Sequence, residues 1–269
     1  MLSAINGATT MPYGLCEDIV SAAQAGISGV ELWWDKIETY LESEPASSLA
    51  ALLDEKGVVP AGICPFPVSP FRNTLENRSR FQLALDVAEA ISCTLLTVCP
   101  EFCPMDTDPE EAKSRLADEF RWYAAAAAEY GIRLAIEPIS RHTLVRGPVE
   151  ALRIIELAGE PENLGLLIDT FHYSCSCVRS EEIRRIPREK LYIVHLNDSR
   201  NGMREELTDA DRLYPTEGCI DLKTFMTDLR AIGYDGFLSV ELFNRAYWQE
   251  PIGEICRKAR ESYERVLRL

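Results

Sequence analysis

Short apolar runs alternate with amphipathic stretches along the whole chain. Eight runs read as buried strands: Leu2–Asn6, Gly29–Trp33, Val59–Cys64, Leu95–Cys99, Arg133–Glu137, Leu164–Asp169, Leu191–Leu196 and Phe237–Leu242. Between them, Glu17–Ala25, Ala46–Lys56, Leu75–Ile91, Pro109–Tyr130, Pro148–Leu157, Glu181–Ile186 and Leu222–Ile232 carry apolar residues at helical spacing, and Ile252–Leu267 repeats the pattern at the end. Glycine in "AGI", "KGV", "YGI" and "IGYDG" can take the left-handed conformation that ends a helix before the next strand. Pro109 and Pro148 stand where a first helical turn accepts proline. Apolar strands alternating with helices predict a parallel sheet covered on its outer face. Eight such units without a linker predict an α/β fold, a single (β/α)8 barrel domain over residues 1–269. A doubly wound open sheet is the alternative, but no G-x-G-x-x-G follows the first strand.

Barrel chemistry collects at the C-terminal ends of the strands, and the last four strands end alike. "RLAIEP" ends in Glu137, "LGLLID" ends in Asp169, "LYIVHLND" carries His195 and "FLSVEL" carries Glu241. A single acid at a strand end is usually a loop residue or a helix cap, and a single histidine is usually a satisfied core residue. Four consecutive strands repeating the pattern point elsewhere. Desolvating one carboxylate costs on the order of 20 kcal/mol in the idealised limit and several in practice, and three must lie close together. Their repulsion would raise their pKa values unless a cation were bound. One divalent metal ion removes both difficulties. Three carboxylates and an imidazole form a mostly oxygen site, suited to Mn2+, Zn2+, Co2+ or Mg2+.

Charge and cysteine usage narrow the function further. Lysine and arginine number 28 against 43 aspartates and glutamates, a net charge of −15 over 269 residues. Such a chain repels phosphate backbones and anionic membranes, so neither nucleic acid nor a membrane is an expected partner. The opening "MLSAINGATTMPYG" has no basic n-region, and no run of about 18 apolar residues occurs anywhere. Nine cysteines are an odd, scattered set, which suits a reduced, cytoplasmic protein. The Cys175/Cys177 and Cys99/Cys103 pairs lack a second pair at zinc-site spacing.

The stretches "AIEP", "LLIDTFH", "VHLND" and "LSVEL" together resemble the xylose-isomerase-like sugar isomerase/epimerase family, and the resemblance runs the length of the chain. It implies a metal held by Glu137, Asp169, His195 and Glu241. "INGATT", "LTDADRLYPTEGCIDL" and "VELFN" look like the branch that isomerises 2-keto-myo-inositol, although relatives favour Gly-Glu-Gly where this chain has "PTEG". Ketose 3-epimerases show E-x-x-N-R-x-E after strand five, whereas here Ser140 and Thr143 replace the Asn and the second Glu.

The implied substrate is a small polyhydroxy ketone, a sugar or an inosose. The metal would stabilise an enediolate while Glu137 and Glu241 move protons. Proton return to the neighbouring carbon gives an isomerase, and return from the opposite face gives an epimerase. His172 of "DTFH", Arg200, Arg212 and Trp33 are candidate substrate contacts, His142 is a weaker one, and strand alternation makes either Trp33 or Trp34 core. The polar segment Ser199–Cys219 follows a ligand strand and reads as a lid. A dehydratase sharing the barrel, an apurinic-site endonuclease and a silent ligand-binding barrel are the rivals. Three histidines in all and the acidic charge weigh against the endonuclease. A homo-oligomer stays open.

Overall fold

The computed structural model describes every residue from Met1 to Leu269. Eight barrel strands run β1 (Leu2–Asn6), β2 (Gly29–Trp33), β3 (Val59–Val68), β4 (Leu95–Pro100), β5 (Arg133–Ile136), β6 (Leu164–Asp169), β7 (Leu191–Leu196) and β8 (Phe237–Val240). All pair in parallel, and β1 closes the ring against β8. The open-sheet alternative therefore falls, and the protein is a closed (β/α)8 barrel. Helices α1 (Leu15–Gln24), α2 (Trp34–Leu41), α3 (Ala46–Lys56), α4 (Thr74–Ala90), α5 (Pro109–Ala128), α6 (Pro148–Leu157), α7 (Thr170–Cys175), α8 (Ser180–Arg184), α9 (Leu222–Ala231) and α10 (Ile252–Leu267) connect or follow them. None is long and apolar enough to cross a membrane.

Helix α5 illustrates how local sequence fixes the layers. The Asp108 side chain accepts from the Glu110 and Glu111 backbone N–H groups, and Pro109 opens the first turn, where its missing donor costs nothing. Ala112, Leu116, Phe120, Tyr123 and Ala127 then bury one face. Such faces pack on the outward side chains of the strands in one large core. A smaller cluster that includes Ala4, Ala61, Leu95, Ala135, Leu167 and Ile193 forms separately. Side chains two apart on a strand share a face, so Ala135, Leu167 and Ile193 lie directly beneath Glu137, Asp169 and His195. Apolar residues thus floor the site.

Expected and observed elements differ in places. β5 stops at Ile136 and β8 at Val240, which leaves Glu137 and Glu241 just past the ladder; their N–H groups still bond Val98 and Leu196 carbonyls. β3 runs to Val68 through an irregular register with β4. Helix α2 has no counterpart in the sequence reading, because it leaves β2 with no turn and offers only eight residues of pattern. Trp34 begins it in the core against Phe66, whereas Trp33 stays half-buried.

Candidate metal centre

The strand ends bring Glu137, Asp169, His195 and Glu241 together, with one potential ligand atom from each within 4.8 Å of the others. All four are buried. Register accounts for part of this, since Asp169 on β6 and Ser239 on β8 both flank His195 on β7. Asp169 divides its carboxylate between two jobs. Oδ1 accepts the His172 N–H at 2.8 Å and so caps α7, while Oδ2 faces the cluster. The strand ends there because the cap starts a helix.

His195 decides what the cluster can hold. Its Nε2 lies 2.9 and 3.0 Å from the two oxygens of Glu31. A carboxylate only accepts, so Nε2 carries the hydrogen and a neutral ring turns the Nδ1 lone pair inward. Nδ1 stands 3.0 Å from Glu241 Oε2, 3.4 Å from Glu137 Oε1 and 3.9 Å from Asp169 Oδ2, yet it is buried with no hydrogen-bond partner. A bare imidazole nitrogen facing three carboxylate oxygens is the donor set of a divalent cation. Burial alone would lower this imidazole, but Glu241 and Glu31 hold it well above its ordinary pKa. A proton and a metal would therefore compete for Nδ1.

Charge points the same way. Glu137, Asp169 and Glu241 surround one guanidinium, Arg212, whose Nη1 lies 2.7 Å from Asp169 Oδ2 and 2.6 Å from Glu241 Oε2, and Glu31 lies behind His195. Burial would depress Arg212, but Asp169, Glu241 and Asp209 keep it above its ordinary pKa and charged. Burial would raise Glu241, and His195 with Arg212 outweighs that, so its carboxyl sits below the usual range. Burial likewise opposes ionisation of Glu31, and His195 and Asn6 reverse it. Four buried carboxylates against one guanidinium, even with His195 protonated, still leave negative charge that a divalent ion would offset. Glu31, Cys64 and His195 form a second close group, but burial pushes the Cys64 thiol far above its ordinary pKa, and Glu31 already occupies Nε2.

Of the other sequence candidates, His172 and Arg212 reach the cluster. Arg212 can only donate, so its Nη2, 3.2 Å from His172 Nε2, makes that nitrogen the acceptor; Nδ1–H then points to Ser140 Oγ at 3.3 Å. An antiparallel pair of two-residue strands, Asp198–Ser199 and Arg212–Leu213, aims Arg212 inward, and the Phe171 and Phe243 rings flank its guanidinium at 5.1 and 5.2 Å. The expected lid segment thereby supplies a core residue of the site. Arg200 makes no contact with the cluster; it is half exposed and paired with Asp211 at 2.6 Å. Trp33 packs edge-on against Phe243 at 5.9 Å, and the Phe243 ring in turn flanks Arg212. His142 is bonded on both nitrogens by backbone groups of its own loop and of Glu101.

Several supporting residues escaped the sequence reading. Glu31 is the main one, fixed further by Asn6 Nδ2 and Thr97 Oγ1 at 2.9 Å each. Its stretch "GVELW" carries the same acid-after-apolar signal as "AIEP" and "SVEL". Asn197 steadies Asp169 from Nδ2 at 3.1 Å, and the Cys99 thiol donates to Glu137 Oε2 at 3.3 Å.

Comparison with known proteins agrees with this architecture. Residues 19–266 match the model of the xylose isomerase-like TIM barrel family. The inosose isomerase of Bacillus velezensis is 25% identical over 273 residues, covering 99% of this chain and 97% of that enzyme. The 3-dehydroshikimate dehydratase of Pseudomonas putida is 25% identical over 247 residues, 88% of this chain but 37% of the dehydratase. Among solved structures, that of the IolI protein with a bound zinc atom matches with a TM-score of 0.93 at 24% identity, over 99% of this chain and 98% of that one.

Proposed function

Because the chain belongs to the xylose isomerase-like TIM barrel family, we propose that it is a divalent-metal-dependent isomerase of a small polyhydroxy ketone, with an inosose as first candidate. The observation that carries the reading is the unpartnered Nδ1 of His195 facing three carboxylates. Relatives at about 25% identity that are inosose isomerases support the reaction class, and the zinc of the IolI structure supports the metal.

Glu137, Asp169, His195 and Glu241 would hold the ion. When bound, it supplies Lewis acidity that lowers the cost of negative charge on the substrate oxygens. The protein's own groups do the rest. Glu241 turns Oε2 toward His195 and Arg212, which leaves Oε1 to take a proton from the carbon beside the carbonyl. Ionised below its usual range, it is ready to accept at neutral pH. Glu137, across His195 Nδ1, would take the hydroxyl proton of that carbon and return it to the former carbonyl carbon. Glu241 would then give its proton to the oxygen there, which restores both carboxylates and moves the ketone. Arg212 stays cationic against the enediolate oxygens, and His172, oriented by Ser140 and Arg212, holds a substrate hydroxyl. The fully buried floor and the strand pair carrying Arg212 exclude water from the reactive carbons.

The test is proton NMR in D2O with Zn2+, run on inososes and ketoses separately, with Glu241→Gln as control. Deuterium should enter the carbon beside the carbonyl of one compound and only with the unaltered protein. A product with a moved ketone supports the isomerase; a lost hydroxyl with new ultraviolet absorbance would assign the dehydratase reaction instead. No exchange with any ketone, although Zn2+ is bound, overturns the reading.

A further inference from the structure

A cavity of about 620 Å3 lies between the β5–α6 loop, the end of α7 and the segment that carries Arg212. Its wall holds Arg141, Arg146 and Arg204. Three guanidiniums around one cavity stand out in a protein with a net charge of −15. Many other arginines are paired with acids, as in Arg78–Glu119, Arg80–Glu38 and Arg200–Asp211. None of these three is.

Arg141 donates to the Leu207 carbonyl at 2.7 Å, Arg146 to the Ser140 carbonyl at 3.1 Å, and Arg204 to Cys177 Sγ at 2.6 Å. Carbonyls and a thiol leave the positive charge uncompensated. The one acid on the wall, Glu205, forms no ion pair with any of them. Unpaired guanidiniums offer planar forks of donors that match the oxygens of a phosphate or carboxylate.

The cavity is also joined to the site. Ser140 on its wall contacts His172 Nδ1, His172 Nε2 meets Arg212, and Arg212 bridges Asp169 and Glu241. One imidazole thus relays contacts from the cavity wall to the cluster. A cavity of this size accepts a small oxyanion together with part of a sugar chain.

We infer that this cavity is an oxyanion subsite, which favours a polyhydroxy ketone bearing a phosphate ester or a carboxylate over the uncharged inosose as the substrate. The inference deepens the function proposed above, and rests on it for the ketone end alone. Arg146 and Arg204 grip the anion, while Arg141 chiefly pins the covering segment through Leu207.

The test uses the full chain stripped of metal with EDTA and titrated calorimetrically with inorganic phosphate and, separately, with glucuronate. Saturable binding of at least one probe is expected, weakened about tenfold by Arg146→Gln and by Arg204→Gln, the loss of one hydrogen bond to a charged group. The stronger probe identifies the phosphate or the carboxylate as the source. Zn2+ affinity should be the same in all three proteins, which shows that the variants fold and separates this result from the metal reading. Absence of saturable binding for both probes, or equal affinity in the variants, overturns the inference. If the metal centre fails its own test while phosphate binding depends on Arg146 and Arg204, the subsite stands without it.

Discussion

His142 and His195 are both almost fully buried, yet their surroundings are opposites. In the β5–α6 loop, His142 Nε2–H donates to the Glu101 carbonyl at 2.8 Å, and Nδ1 accepts from Leu144 and Val145 N–H at 3.0 Å each. Nothing is left over. In β7, His195 spends Nε2 on Glu31 and keeps Nδ1 bare among three acids. Burial therefore does not mark a ligand. What marks it is the capacity that remains after the protein's own hydrogen bonds are counted.

The contrast breaks most visibly at the cluster. His195→Ala or Glu241→Gln should abolish Zn2+ binding by calorimetry and lower solvent exchange into substrate by about 10²–10⁴-fold, whereas His142→Ala should leave Zn2+ binding intact. Glu31→Gln comes next. It keeps the shape but not the charge behind His195, and should weaken Zn2+ binding by about 10–100-fold with unchanged circular dichroism. Equal affinity would reduce Glu31 to a packing residue.

His142→Ala should act on stability instead. It strands two buried N–H groups and should cost about 1–3 kcal/mol in urea unfolding. The pH dependence sharpens this, because burial holds the pKa of His142 below 6.5 in the fold. The unfolded chain then binds the proton more readily, so this contribution is fully present above about pH 6.5 and is lost as pH falls through the depressed folded value. His142→Gln should flatten that part of the acid limb.

The smallest expected effect is at Thr216, which sits at φ +75°, where a β-branched residue is strained. Its hydroxyl accepts from Arg265 Nε at 2.8 Å. Thr216→Gly should stabilise by about 1 kcal/mol, less what that bond contributes. Thermal unfolding reads the difference.

The barrel was legible because strand-length apolar runs and helix-length amphipathic runs differ in period, and this chain keeps the two apart. The four cluster residues were legible because each is a polar residue set in or just after an apolar strand. Glu31 shows the same signal in "GVELW", but it stands alone on β2, outside the run of four consecutive strands. Side-chain direction in the covering segment was not legible. Arg200 and Arg212 read alike as candidates, and only the pairing of Asp198 with Leu213 and Ser199 with Arg212 turns one inward and leaves the other at the surface. Two-residue strands have no periodicity to read. Helix α2 stayed hidden for a related reason, since no turn residue separates it from β2.

Everything proposed for the site turns on His195 Nδ1 as the open donor for a divalent metal. With three histidines in the chain, long-range proton–nitrogen correlation spectra of the ring nitrogens can follow all of them during a Zn2+ titration. One equivalent of Zn2+ should shift a single Nδ1 resonance, missing in His195→Ala, while the Nε2 of that ring keeps its hydrogen and His142 does not move. A shift at His142, coordination through the Nε2 of His195, or no shift at all would contradict that assignment.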